Sequence, residues 1–280
     1  IERLNCFALV AAFSRWRFYQ FIRQADVNTL MHCHRLAFEE LGGVLAELLY
    51  DQLRQVAVPL PDGEIVVQED FAVLAQHYGF QVVVLEPGYC EGKGKVEDLF
   101  LGVMSFLRSH HFHDLEDLNR KADRWRHTKL HVRPHRTTGV APNDRLAEER
   151  SALRPLPDVP MRCEKRQRCR IGKDFSVEHH QSYYSVWPEY AGRWATKCLL
   201  DDRLGGGCDG RNVGEHRVSE QRYNRFLLPE HEAAFREANE RKQSIRRRFA
   251  ALGTVAERFA EGLDRHQGGA STYHMGRIIK

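Results

Sequence analysis

Strand-length apolar runs and helix-length amphipathic stretches alternate through the first 125 residues, and this alternation restricts the fold more than any other feature of the chain. Residues 4–13 are almost wholly apolar, as in a buried strand. Residues 15–22 mix aromatics with arginines in the manner of a neighbouring strand, with the turn at 14–16. Asp26 is placed to cap a helix whose one face carries Val27, Leu30, Met31, Ala37, Phe38 and Leu41, and Gly42-Gly43 ends it. A short strand at 47–50 leads through a loop with Pro59, Pro61 and Gly63 to a second helix with Phe71, Leu74, Ala75 and Tyr78 in register. A strand at 81–85 stops at Pro87-Gly88. From Lys95 a helix carries Val96, Leu99, Phe100, Val103 and Leu107, and another follows at 115–125. Strand, strand, helix, strand, helix, strand, helix is the order of a layered α/β domain.

The character changes beyond Pro142. Residues 153–160 read as a proline-rich linker, 162–170 as a basic stretch, and 175–186 alternate as a hairpin does. The glycines 205–207 are expected to interrupt the following strands with a loop. Pro229 opens a helical tail in which Ile245, Phe249, Leu252, Val255, Phe259 and Leu263 recur every three or four residues. The expected organisation is a core at 1–127, a connecting segment and linker at 128–160, a small β domain at 161–226 and a helical tail at 227–280.

Composition excludes several classes. Lys plus Arg exceed Asp plus Glu by only 42 − 38 = 4, so local patches such as 161–170 and Arg246-Arg247-Arg248 matter more than net charge. Seven cysteines are scattered singly with no CxxC pair, which argues against a disulfide framework or a zinc knuckle and for a reducing, cytoplasmic setting. The longest apolar run, 6–13, falls far short of the roughly 20 residues of a membrane span, and nothing ahead of it looks like a signal peptide. The chain opens on Ile1, directly into a strand-like run, as a truncated reading frame would.

Two carboxylates stand where α/β sheets place chemistry. Asp51 follows a short apolar strand, so it emerges at the carboxyl edge of the sheet. Glu97 follows the basic entry Lys93-Gly94-Lys95 and lies beside the buried helical stripe, able to face the same edge. Moving a phosphodiester needs an activated nucleophile and a stabilised leaving oxygen, and paired divalent ions about 4 Å apart do both. Magnesium takes hard oxygen ligands from a few carboxylates and keeps several waters. Taken alone, a strand-end Asp is more often a turn or helix-cap residue. His110, His111 and His113 sit on a helix connection without a partnering Cys or acid pattern, so a solvated loop is preferred to a metal site there. His34 on the first helical stripe reads as a core residue.

Together these segments resemble the transposases of IstA-type bacterial insertion sequences, which belong to the DDE, retroviral-integrase-like superfamily. The carriers are CHRLAFEELGGV (33–44), LLYDQLRQV (48–56), HYGF (77–80), KGKVE (93–97), HRTTGVAP (135–142), YYSV (183–186), LPEHE (228–232) and RRFAALG (247–253). The resemblance implies an α/β, RNase-H-like integrase core lacking its first strand, then a small β-barrel-like domain and a helical C-terminal tail. It makes Asp51 and Glu97 the second and third members of an Asp, Asp, Glu triad holding Mg2+ (or Mn2+), with the first Asp on a strand before Ile1. The implied activity is metal-dependent DNA strand cleavage and strand transfer, with this chain inactive alone; the alternative is a non-enzymatic, DNA-binding and self-associating remnant. Lys93, Lys95 and the loop His135, Arg136, Thr137 and Thr138 are the implied DNA contacts, although hydroxyls in such a loop also turn the chain locally. The basic stretch 162–170 with the Trp187 and Tyr190 region is a further expected backbone contact. Implied partners are the element's DNA ends and target, an AAA+ helper ATPase and a second copy of the chain, at the bacterial nucleoid. Leu45 and Gln52 replace the Pro and Asn usual around the second Asp.

Overall fold

β1 (Asn5–Val10) and β2 (Arg17–Ile22) form an antiparallel hairpin in which Ala8 lies opposite Tyr19. The computed structural model describes residues 3–51, 53–60, 64–85, 102–219, 221–267 and 271–279. Glu97, Lys93 and Lys95 lie outside the described residues, as does the stop at Pro87-Gly88. The chain divides into two units, 1–165 with 200–202, and 166–199 with 203–280. The connecting segment 128–160 therefore falls with the first unit, and the helical tail with the second.

In the first unit the hairpin is apolar on both faces. Phe7, Leu9, Phe18 and Ile22 join a core with Leu30, Met31, Ala37, Phe38 and Leu41 of α1 (Val27–Leu41). Tyr19 and Phe21 instead meet Val103 and Phe106 of α3, helical over 102–109, and Leu118 and Ala122 of α4 (Leu115–Trp125). The strands are thus sandwiched between helical layers, as their near-continuous hydrophobicity demands. Asp26 caps α1 by accepting from the Thr29 amide at 2.8 Å, and Gly42, at φ 78°, closes it. β3 (Glu47–Asp51) and β6 (Gln81–Leu85) run parallel, joined by α2 (Glu69–Tyr78), whose Phe71, Leu74, Ala75 and Tyr78 are buried.

The loop expected around Pro59 holds a small hairpin, β4 (Ala57–Pro59) with β5 (Ile65–Val67), and Pro59 is tolerated because the ladder is short and at an edge. The proline-rich segment is no free linker. Val44 and Arg154 exchange backbone hydrogen bonds of 2.9 Å, and Leu153, Leu156 and Met161 pack on the α1 core. A Cβ on Gly43 would come within 2.8 Å of the Leu153 Cβ, so only glycine admits the strap this close. A single π-helical turn, Arg126–Leu130, follows α4, and α5 (Pro142–Glu149) begins with proline at its first position.

The second unit pairs a four-stranded sheet, ordered β12-β11-β10-β7, with a three-stranded one, β13-β9-β8. Here β7 is Lys165–Arg170, β8 Ser176–His179, β9 Ser182–Ser185, β10 Trp194–Leu200, β11 Arg203–Cys208, β12 Arg211–Arg217 and β13 Arg225–Phe226. The β8–β9 hairpin turns through His180 and Gln181, both at positive φ. Val177, Val186, Ala195, Cys208 and Val213 fill the interior. Among the described residues no sheet closes into a barrel; strands of two and four residues are too short to bridge the two edges.

Two further expectations are overturned here. The three glycines make no loop: Gly205, Gly206 and Gly207 run inside β11, with Gly206 opposite Gly214 and a bulge after it. A Cβ on Gly206 would press to 2.9 Å on Val213, so this glycine is a packing requirement inside a strand and not a break in it. The tail stripe is also no single buried seam. α6 (Pro229–Ala250) stops before α7 (Thr254–Gln267) and α8 (Ser271–Ile278); Phe249 is buried, whereas Leu252, Val255 and Phe259 are exposed. Gly253, at φ 109°, breaks the 3.6-residue period between the first two helices.

Candidate active site

Asp51 is the last residue of β3, opposite Leu85 at the end of β6. Leu48 and Tyr50 point into the core, so Asp51 projects from the other side of the strand, beside Leu49, and is exposed. Among the described residues no cation pairs with its carboxylate. An acid at the carboxyl end of parallel strands, unneutralised and accessible, is the arrangement that receives ligands in α/β sheets.

The position is fixed from inside. The Tyr50 hydroxyl lies 2.9 Å from Nε2 of His34, and His34 Nδ1 lies 2.8 Å from the Leu30 carbonyl. A carbonyl can only accept, so Nδ1 carries the proton and Nε2 accepts from the phenol. Phe7, Phe38, Phe71 and Phe80 enclose the imidazole. That burial pushes the His34 pKa down to about 4 and raises that of Tyr50, so the rod from α1 to the end of β3 is neutral. Histidine on an apolar stripe was readable from sequence; its tyrosine partner, sixteen residues on, was not.

The loop of His135, Arg136, Thr137 and Thr138 is a tight turn. The Thr138 and Gly139 amides both donate to the His135 carbonyl, and the Thr138 hydroxyl donates to Val140. His135 Nε2 sits 3.2 Å from the Arg17 guanidinium, and its Nδ1 3.2 Å from the Thr137 amide. Both neighbours are donors and a neutral imidazole has one acceptor nitrogen, so the two contacts compete. Arg136 and Thr137 are exposed. Of the four, Thr138 is committed to local structure and Arg136 projects outward.

Behind this loop, Nε2 of the fully buried His131 donates to the Arg17 carbonyl at 2.9 Å, and burial followed by the nearby arginines lowers its pKa to about 4. Arg126, only 2% exposed, forms a fork with both oxygens of Glu40, bonds Asp123 at 2.7 Å and stacks over Phe18. Glu40, Asp123 and His127 bring three ligand-type atoms within 4.8 Å of one another. The Arg126 guanidinium already pairs with both carboxylates, so an internal cation occupies this cluster. His110 folds back onto Phe106, its Nδ1 3.0 Å from that residue's carbonyl.

In the second unit the basic stretch becomes β7, with Arg166, Arg168 and Arg170 exposed. Tyr190 is buried in the interior, so its ring offers no DNA surface, and Trp187 is half-buried against the same cluster where the chain turns through a short 3-10 helix. Trp194 is exposed, under the guanidinium of Arg168 at 4.6 Å. Its signal was available in the alternation of Trp194 with buried Ala195.

Among the described residues no helix is long and apolar enough to cross a membrane. Comparison with known proteins gives a consistent picture. Residues 156–228 match the family described as Mu transposase, C-terminal domain. The chain is 29% identical, over 73% of its length, to a Geobacillus stearothermophilus protein assigned as the transposase for insertion sequence element IS5376, covering 50% of it. It is 30% identical, over 64% of its length, to a Bacteroides fragilis transposase for an IS21-like element, covering 35% of that protein. It is 27% identical, over 70% of its length, to the Pseudomonas aeruginosa transposase for IS21, covering 51% of it. The chain thus spans about a third to a half of the length of these relatives, and its homologues are transposases of IS21-type insertion sequences.

Proposed function

We propose that this chain contributes the catalytic and DNA-binding regions of an insertion-sequence DNA transposase, a polynucleotidyl transferase of the DDE type with an RNase-H-like core. The observation that carries the reading is Asp51. It is an accessible carboxylate, without an ion-pair partner among the described residues, at the end of parallel strand β3, held by a buried Tyr50–His34 bond, in a chain similar to insertion-sequence transposases. A hard, exposed oxygen donor suits Mg2+ or Mn2+, and Glu97 is the second ligand in this reading. The bound ions would polarise the phosphodiester and generate the nucleophile. The protein's own part is to hold Asp51 on a rigid strand end and to offer Arg136 to the DNA backbone, with Lys93 and Lys95 as further phosphate contacts. A helper ATPase and a second copy of the chain complete the proposed assembly.

The test is joining of labelled element-end DNA to a target plasmid by the whole gene product that contains this chain, with Mg2+ present. Asp51→Asn should abolish joined product while leaving thermal unfolding and DNA binding intact, since Asp51 is exposed and packs nothing. Full joining by that variant would overturn the assignment.

A further inference from the structure

The small hairpin that follows Asp51 in the chain has two chemically unequal edges. β4 and β5 form a two-stranded sheet of their own, with Ala57 level with Val67 and Pro59 level with Ile65. The Leu60 amide donates to the Glu64 carbonyl at 2.7 Å, and the Gln68 amide to that of Val56 at 2.8 Å. The even-numbered residues are therefore the ones bonded across the ladder, and the odd-numbered ones turn their backbone groups outward. The β4 edge offers no donor, because the Ala57 amide bonds the Leu53 carbonyl at 3.0 Å and Pro59 has no N–H. On the β5 edge Ile65 and Val67 present both donor and acceptor. Among the described residues neither amide meets an acceptor.

Side chains give this edge a character. Glu64 and Val66 share one face of β5, Ile65 and Val67 the other. Val66 is exposed, as are its cross-strand neighbour Val58 and Leu60 beside it. Exposed acids stand at both ends of the strand, Glu64 before it and Glu69 and Asp70 after it, and among the described residues no cation pairs with the last two. Glu69 and Asp70 also complement the dipole of α2, whereas Glu64 lies outside the helix. Edge strands are commonly guarded by proline, lysine or a bulge; β4 has Pro59, and β5 has none of these. A second copy of β5 is a poor match, since antiparallel pairing about Val66 sets Glu64 of one copy beside Glu69 of the other.

We propose that the outer edge of β5 receives an extended, basic and apolar segment of a partner protein as an added strand. Its backbone pairs with Ile65 and Val67, an apolar side chain lies beside Val66, and Lys or Arg lies beside Glu64 and Glu69. Main-chain bonds supply the affinity and the alternating side chains the selectivity. The added strand joins the partner to the segment that leaves Asp51. The inference does not depend on a catalytic role for that residue.

The test is binding of a labelled, end-blocked heptapeptide of alternating lysine and valine to the 280-residue chain, by fluorescence anisotropy and amide hydrogen exchange. Exchange at Ile65 and Val67 should slow on binding, while Val66, already in the ladder, should change little. The same peptide with glutamate for lysine should bind about tenfold more weakly. The lysine peptide with every amide methylated should not bind, an arm that leaves the protein unaltered. Ile65→Pro removes one outward donor and no ladder bond, so it should weaken binding about three- to tenfold with thermal unfolding unchanged. No binding of the lysine peptide, equal binding of the glutamate peptide, binding that survives methylation, or unaltered exchange at Ile65 and Val67 overturns the proposal. So does self-association of the chain that Ile65→Pro abolishes, which would make the edge a contact between copies. Asp51→Asn should leave peptide binding unaltered, so failure here with intact, Asp51-dependent joining sinks only this inference.

Discussion

The Tyr50 hydroxyl donates to Nε2 of His34 across 2.9 Å, tying the last turn of strand β3 to the middle of helix α1 directly behind Asp51. The bond is sealed by aromatic rings, so water cannot replace either partner. Tyr50→Phe should therefore cost about 1–3 kcal/mol, the penalty of a buried acceptor left unpaired. Urea unfolding of the variant checks this. In the joining assay the same variant should lower the turnover of bound DNA more than its affinity, because Asp51 keeps its charge and loses its support.

The buried histidines set an acid limit. His34 and His131 both have folded pKa values of about 4, below the unfolded 6.5. The unfolded chain then binds the extra protons, so stability is complete above pH 6.5 and declines as pH falls from 6.5 toward 4. Each site contributes on the order of 3 kcal/mol across that window. Unfolding free energy measured at several pH values should show this slope, and His34→Asn should make it shallower; a flat profile between pH 7 and pH 5 contradicts the assignment.

Arg126 is bonded to Glu40 and Asp123 while 2% exposed. Arg126→Met should leave the Glu40 carboxylate without its cation and destabilise the first unit by about 3–5 kcal/mol. The double variant Arg126→Met with Glu40→Leu should recover most of that loss, which denaturant titration of the three proteins resolves.

Gly43 lies against the strap. A Cβ there would stand 2.8 Å from the Leu153 Cβ and 3.0 Å from the Arg154 carbonyl oxygen. Gly43→Ala should cost about 1–3 kcal/mol through overpacking. Amide hydrogen exchange should show faster exchange at Val44 and Arg154, whose mutual hydrogen bonds close the contact; unchanged protection would mean the strap yields without strain.

Local periodicity carried most of what the sequence revealed of the first unit. The capping aspartate, the apolar stripe and the glycine stop of α1 are local signals, and each stands where its chemistry predicts. Asp51 was legible for the same reason, as a polar residue ending an apolar strand. Non-local features were not. Gly205, Gly206 and Gly207 looked like a break because glycine is a weak strand former, yet the partner residue Val213 that makes Gly206 a packing requirement lies elsewhere in the sequence. The stripe from Ile245 to Leu263 looked continuous because spacing alone does not show a left-handed residue at Gly253. Trp187 and Tyr190 read as surface aromatics from the sequence, and only the observed structure shows Tyr190 buried and Trp194 exposed.

β9 is paired on one side with β8, its neighbour across a two-residue turn, and on the other with β13, where Arg225 meets Tyr183 from 225 − 183 = 42 positions downstream. The Ser185 hydroxyl also waits for this late arrival, accepting from the Leu228 amide at 3.0 Å. During synthesis the ribosome must therefore deliver the whole β10–β12 excursion before that edge of β9 is covered. A premature stop or frameshift in that interval would release a product with an open strand edge, prone to recruit other chains by the same backbone pairing.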